Sequence, residues 1–392
     1  MSDDHHGESG TPKNRRRTGW WSVSLAVVYL CLGAENASWL SRIPSMQSNL
    51  HLGTGRLGVA LLGLPLGSML ASTLLPRLLS RWGSRLVVGV SLSASAVMLA
   101  VIGQAGNLLA LTAVLVGFGA VTGSLDVSMN ANGVALQNRW GRSVFGRLHA
   151  MWSLGSFVGA GIGALVTHHG VSVAVHLPVV GAVILVLGLA ATAGLDEDPV
   201  TGTGRAGSTS WSRDPRVLVL AAVSLAGFVI EVGAGDWGGV FLRHNLDASV
   251  GVAAAAYAAF SLPHFLVRAT GDPIVDRFGR RPLLAGCLVI ATAGYLVIVL
   301  AQSPTVALIG LGIVGAGVGL VVPVAFVAAG SVEGVPAGSG VATAAGVSYA
   351  GWTTAPPVIG GLAALFGLRV GLLLPLILAA VAAAVLTVRR DV

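Results

Sequence analysis

Four of the chain's 16 acidic residues interrupt stretches that are otherwise apolar: Glu35, Asp126, Glu231 and Asp236. An ionisable group in such a stretch is costly, so it faces a bundle interior or a water-filled cavity and is a candidate for proton or ion movement. Polar and aromatic groups cluster beside these acids: Asn36 and Trp39 after Glu35, Asn130 four residues after Asp126, Trp237 next to Asp236. His149 and Trp152 open another apolar run, and Trp352 sits in a late one. Residues three or four apart share a helix face, so Glu35, Trp39 and Arg42 form one face and Asp126 with Asn130 another. Carboxylates, amides and indole rings together suit the binding of a small polar, ring-containing solute. Structural readings stand beside this one. Asp126 could pair with Arg139, Arg142 or Arg147, Asp236 could pair with Arg243, and a buried Asn often only bonds a neighbouring helix.

Other chemistries lack their residues. The single lysine, Lys13, lies in a polar tail, so no Walker A loop exists to cradle a nucleotide's phosphates. No HExxH, paired CxxC or GxSxG motif occurs. His5-His6 and His168-His169 are adjacent pairs on polar segments, which points away from a metal site, and no cofactor is expected. Cys31 and Cys287 lie far apart inside apolar runs, which does not support a disulfide framework. The chain is not read as an enzyme. Energy for transport would come from an ion gradient or from the solute gradient.

The elements that must hold these groups are membrane helices. The chain is 54% hydrophobic and only 10% charged, against roughly a quarter charged in soluble domains. Apolar runs long enough to cross about 30 Å of hydrocarbon recur throughout. Twelve are expected, over residues 20–40, 56–76, 86–103, 107–127, 145–166, 176–195, 216–237, 250–268, 282–301, 305–327, 338–361 and 367–388. Pro323 and the Pro356-Pro357 pair should bend two of them, since each proline removes a backbone donor. Residues 1–19 read as a disordered cytoplasmic tail, 20–195 as one six-helix bundle, 196–215 as a cytoplasmic linker and 216–392 as a second bundle.

Of the 23 basic residues, only Arg42, Arg56, Arg243 and Arg369 fall on one side of this topology. The excess on the other side places both termini in the cytoplasm of a plasma membrane. It also accounts for the net charge of +7 without a nucleic-acid partner. The expected partners are the lipid bilayer, a small-molecule substrate and a proton, on a monomeric chain.

The chain also repeats. Glu35 and Glu231 lie 196 residues apart, and so do the basic turns Arg81-Trp82-Gly83-Ser84-Arg85 and Arg277-Phe278-Gly279-Arg280-Arg281. Gly119, Gly123 and Gly155 fall on Gly315, Gly319 and Gly351 at the same offset. A duplicated membrane unit with an acid at matching depth is a pattern of secondary transporters, and it predicts Glu35 and Glu231 facing one central cavity.

The second basic turn, from Gly271-Asp272 through Asp276-Arg277-Phe278-Gly279-Arg280-Arg281, resembles the cytoplasmic loop motif of the major facilitator superfamily. The first copy keeps Arg81, Gly83 and Arg85 but has Ser80 where the acid is expected. The stretch from Leu125-Asp126 to Asn130, that from Gly146-Arg147 to Gly155, and that from Glu231 to Trp237 resemble the YbjJ-like bacterial permeases, a branch similar to fucose–proton symporters. The resemblance implies an all-α fold of twelve helices in two pseudo-symmetric bundles that rock about a central site. It implies a gating role for Asp272, Asp276, Arg277, Gly279, Arg280, Arg281, Arg81, Gly83 and Arg85. Proton coupling would fall to Glu35 or Glu231, then to Asp126 or Asp236.

No arginine or lysine is expected deep in the cavity, which argues for a neutral or cationic solute, sugar-like or otherwise. Efflux of a drug or secondary metabolite is the alternative within transport. A non-transporting membrane sensor or assembly factor is the alternative of another class.

Overall fold

In a computed structural model of the chain, residues 12–140, 144–196 and 211–389 are described, and among them there is helix and no strand. The first half comprises α1 (Pro12–Leu40), α2 (Ile43–Asn49), α3 (Thr54–Leu61), α4 (Gly63–Ile102), α5 (Leu108–Trp140), α6 (Phe145–His168) and α7 (Val173–Ala193). The second comprises α8 (Pro215–Asn245), α9 (Val250–Ala254), α10 (Ala256–Ala269), α11 (Gly271–Phe278), α12 (Arg280–Leu300), α13 (Pro304–Val318), α14 (Val321–Ala329), α15 (Ala337–Phe366), α16 (Leu368–Gly371) and α17 (Leu373–Val388).

Ten stretches among the described residues are long and apolar enough to cross a membrane. One of them, Thr54–Ile102, has 49 residues and measures about 74 Å at 1.5 Å per residue, roughly twice what a bilayer needs. It breaks at Gly83, whose φ of 74° and ψ of 162° leave the helical region, and so makes two crossings. Helix α15, with 30 residues, is rich in Gly, Ser and Thr but about 45 Å long, and supplies the twelfth.

The repeat is visible in the backbone. Gly279 has φ 76° and ψ 161°, nearly the angles of Gly83 at the matching position. Positive φ is the region that only glycine enters at no steric cost, so the glycine of each basic turn is required by the turn itself. Helix crossings repeat too. A Cβ on Gly119 would strike the Leu64 carbonyl oxygen, and one on Gly315 would strike that of Phe260, the residue 196 positions after Leu64. Gly123 likewise meets Ser68, and Gly319 meets His264. Glycine here lets paired helices approach to backbone contact.

Packing is mostly within each half, for example α4 on α5 and α7, α1 on α6, α8 on α15, and α12 on α13 and α17. The halves meet through α6 with α9 and α10, α15 with α3, and α2 with α8 and α9. Much of this closure lies at the end opposite the chain termini. A Cβ on Gly58 would stand 2.7 Å from the Pro356 carbonyl oxygen, one on Gly239 would stand 2.9 Å from the Pro44 ring, and one on Gly251 would stand 3.1 Å from His168.

One feature differs from the expected layout. Helix α1 reaches back to Pro12, inside the segment read as a tail, since proline suits a helix's first turn and the arginines that follow are good helix formers. Residues 1–11 and 197–210, most of the tail and linker, lie outside the described residues. Helix α8 starts on Asp214, whose side chain accepts from the Arg216 backbone N–H at 2.8 Å and from the Arg216 guanidinium. Those bonds hold its carboxyl down at about 2, so the cap stays charged at neutral pH.

Candidate functional site: a central cavity

A cavity of about 550 Å³ lies between the halves, bounded by α1, α4, α5 and α6 on one side and α8, α10, α14 and α15 on the other. Seen from the closure, it lies on the side of the chain termini. Its lining includes Asn36, Trp39, Asp126, His149 and Trp152 from the first half, and Glu231, Asp236 and Trp352 from the second.

Glu35 is not part of the lining. It is fully buried within the first half, with Oε2 accepting from the Ser95 hydroxyl of α4 at 3.0 Å and Oε1 without a hydrogen-bond partner. One residue on, Asn36 turns into the cavity, because successive helical residues are about 100° apart. The expectation that Glu35 and Glu231 face one cavity is therefore corrected: the repeat preserves their depth and not their environment. Asn130 also stands behind the lining. Its Nδ2 donates to the Asp126 backbone carbonyl at 2.7 Å and to the Asp126 carboxylate at 3.3 Å, and its Oδ1 accepts from Tyr29 at 2.7 Å. Tyr29 in turn sets its ring edge-on to His149, at 5.4 Å between centroids. Trp237 is fully buried beside Gly360, away from the cavity.

Among the described residues, the pairings that would make the acids merely structural do not form. Arg139 bonds Asp196 at 2.6 Å instead of Asp126, and Arg243 donates to the Ala248 carbonyl instead of Asp236. Arg142 lies outside the described residues. Arg42 is buried and turns away from Glu35 and Trp39, donating to Thr167 and, at 2.6 Å, to the Val171 carbonyl, where the end of α6 exposes its acceptors.

The absence of a deep arginine is overturned. Arg268, counted by sequence among the charges flanking the membrane, lines the cavity from α10. Its Nη2 lies 3.3 Å from Glu231 Oε1, and His264, one turn earlier, places Nε2 3.3 Å from the same oxygen. Its Nε donates to the Gly319 carbonyl at 2.8 Å. That acceptor is free for a reason written in the sequence. Pro323 has no N–H for the carbonyl four residues back, and the α13–α14 break falls at Gly319-Leu320. Pro178 does the same to Ala174, whose carbonyl accepts from Gln104 at 2.9 Å. Helix α15, in contrast, continues through Pro356 and Pro357. The guanidinium of Arg268 also stands 6.0 Å from the Trp152 ring, so this one side chain reaches from the second half to the first. His264 and Arg268, four residues apart in one span, carried the signal that sequence reading missed.

Two of the basic-turn arginines, one in each half, reach a helix end. Arg281 donates to the Leu386 and Thr387 carbonyls at 2.8 and 2.9 Å, at the end of α17. Arg85, its repeat mate, reaches the Ala193 carbonyl at the end of α7 at 3.4 Å. Both contacts stay inside one half and favour the negative end of a helix. Arg277 lies 5.6 Å from the Phe278 ring, and Arg81 and Arg280 are exposed. The side chains of Asp272 and Asp276 lie outside the described residues.

The uncharacterized MFS-type transporter YPO1221/y2967 of Yersinia pestis is 30% identical to the chain over 371 residues, covering 94% of this chain and 96% of that one. The chain belongs to the major facilitator superfamily. The profile of the Major Facilitator Superfamily matches residues 219–392. The uncharacterized transporter y4wD of Sinorhizobium fredii is 31% identical over 350 residues, 89% of this chain and 92% of that one. Membrane protein MosC of Rhizobium meliloti is 27% identical over 352 residues, 90% and 86% of the two chains. Among solved structures, nucleoside transporter NupG superposes with a TM-score of 0.75 at 13% identity, over 94% of this chain and 98% of that one. A bacterial homolog of the human lysosomal transporter Spinster, in an inward-facing, unoccupied conformation, superposes at 0.70 with 15% identity, over 97% of each chain. The fold is thus the twelve-helix fold of this superfamily, and the protein is a multi-pass membrane protein of a transporter family.

Proposed function

We propose that this superfamily member is a proton-coupled secondary transporter that carries a small polar solute through the central cavity by alternating access. The observation that carries this reading is the cavity itself: three carboxylates, one arginine and several aromatic rings between two halves that close at one end. A closure made at one end only is half of an alternating-access cycle, and rocking the halves would open it and seal the other end. With the arginine-rich side in the cytoplasm of the bacterial plasma membrane, the cavity here faces inward. The chain works as a monomer, since the cavity is complete within it.

Asp126, Glu231 and Asp236 are the coupling candidates in contact with solute. Glu35 is a buried acid behind the lining, bonded to Ser95 and out of reach of solute, and is not assigned to coupling. A charge removed from water without a partner is expensive, and taking up a proton removes the expense. Trp39, Trp152, Trp352 and Tyr349 offer faces to a ring, and the likeness to the nucleoside transporter NupG puts nucleosides beside sugars at the head of a test panel.

The test is uptake into proteoliposomes under an imposed proton gradient, acid outside, across a panel of nucleosides, sugars, amines and acids. Accumulation that collapses with an uncoupler supports the reading. Accumulation unaffected by the gradient removes proton coupling, and no movement of any solute removes transport.

A further inference from the structure

The guanidinium of Arg268 is held on one edge and open on another. Gly319 fixes Nε, Glu231 takes Nη2 at 3.3 Å, and Nη1 has no protein partner among the described residues. Its side chain is 19% exposed and that of Glu231 24%, both within the cavity. The ion pair is therefore single-pronged, at the long end of bonding distance and reachable by solute. A fixed, planar fork of N–H donors is the geometry that a carboxylate fills with two parallel bonds. The Trp152 ring beside it gives an apolar surface for the rest of the solute.

We propose that the transported solute carries a carboxylate, which seats on Arg268 in place of Glu231, and that the displaced Glu231 takes up one proton. This rests on the chain being a transporter and names the class of its solute. The exchange balances: one carboxylate replaces another at the guanidinium, and the proton, drawn from the aqueous side the cavity faces, neutralises the one released. The cavity charge is unchanged when both enter. The groups facing Glu231 fit that step. From α10 they are His264, Arg268 and Tyr257, and on its own helix Asp236. Across the cavity stand Asp126 of α5, His149 of α6 and Tyr349 of α15. With the acids Asp126 and Asp236 on the walls, a Glu231 freed from Arg268 keeps only the His264 imidazole beside it, so the solute's charge enters together with a proton. The matching positions of the first half make the site one-sided. Ser68 and Ser72 stand where His264 and Arg268 stand in the second half, and both line the cavity.

The test uses matched pairs of ring compounds, shikimate, quinate and glucuronate against their primary amides, binding to the purified full-length protein by calorimetry. Titrations in two buffers of different ionisation enthalpy read the protons taken up. At least one acid is expected to bind about tenfold or more tightly than its amide, with uptake of about one proton. Arg268→Gln should erase the preference, Arg268→Lys should keep part of it, and Glu231→Gln should keep the preference but take up no proton. Amides that bind as well as the acids, no binding by any acid, or proton uptake intact in Glu231→Gln would each overturn the proposal. If Arg268→Gln does not fold, the wild-type acid–amide comparison and Arg268→Lys decide. Transport of neutral solutes without acid preference leaves the transporter reading standing and removes this one. Acid binding without transport leaves a carboxylate site on Arg268 and removes both the transporter reading and the claim that the solute is transported.

Discussion

Placed over one another at the 196-residue offset, the two halves share a framework and divide the chemistry. Gly119 and Gly315 seat against matching backbone carbonyls, and Gly83 and Gly279 turn the chain with the same dihedrals. At cavity positions the residues part company. At the same offset Asp126 corresponds to Val322, Leu40 to Asp236, Trp152 to Ser348, Ser156 to Trp352, and Ser72 to Arg268. Glu35 and Glu231 make the contrast sharpest: one is sealed against Ser95, the other shares a cavity oxygen between His264 and Arg268. Duplication supplies two bundles with matching helix crossings. Divergence of the lining supplies one site with an acidic wall and a cationic corner, which a symmetric lining could not do.

The framework should prove equally intolerant in both halves. Gly119→Val and Gly315→Val each force a branched side chain into a backbone carbonyl, so each should cost about 3 kcal/mol or more, since overpacking alone costs 1–3. Thermal unfolding in detergent checks this. A large loss in one half and none in the other would break the symmetric account.

The lining should behave oppositely. Arg268→Ala leaves Glu231 without its charged partner and should reduce transport at least about tenfold, as removing one member of a cavity charge pair does. Ser72→Ala, at the repeat position, should stay within about twofold in the same uptake assay. Equal effects would mean that the offset is not the right way to compare the two walls.

A smaller effect is expected from the helix-end arginines. Arg281→Gln should cost about 1 kcal/mol of stability through two lost carbonyl contacts at the end of α17. Thermal unfolding in detergent reads the loss. The smallest change concerns the basic turns. Ser80 donates to its own helix at the Arg77 carbonyl, whereas Asp276 carries a charge at the matching place. Asp276→Asn should slow transport by a few-fold while leaving solute affinity in one trapped state nearly unchanged. An unaltered rate would reduce that turn to a charge cluster that orients the chain.

Class, span number and repeat were legible in the sequence because each rests on periodic or compositional signals spread over many residues. Gly83 and Gly279 were legible as a pair because a duplicated turn needs the same dihedrals twice. Of the cavity, Asn36, Trp39, Asp126, His149, Trp152, Glu231, Asp236 and Trp352 could be named, since polar groups in apolar runs stand out. Arg268 could not. At the end of an apolar run an arginine looks topogenic, and only the long side chain's reach to Gly319 and Glu231 draws it inward. Glu35 misled for the opposite reason: a buried acid reads alike whether it faces a cavity or a serine on the next helix.

Uptake and counterflow in proteoliposomes bearing Glu231→Gln or Glu35→Gln, with a solute taken from the panel, test the central claim most directly. Glu231→Gln should exchange solute across the membrane at equilibrium and fail to accumulate it against a gradient when protons are supplied outside. Glu35→Gln, outside the cavity, should retain proton-driven accumulation. Wild-type accumulation by Glu231→Gln would contradict the account.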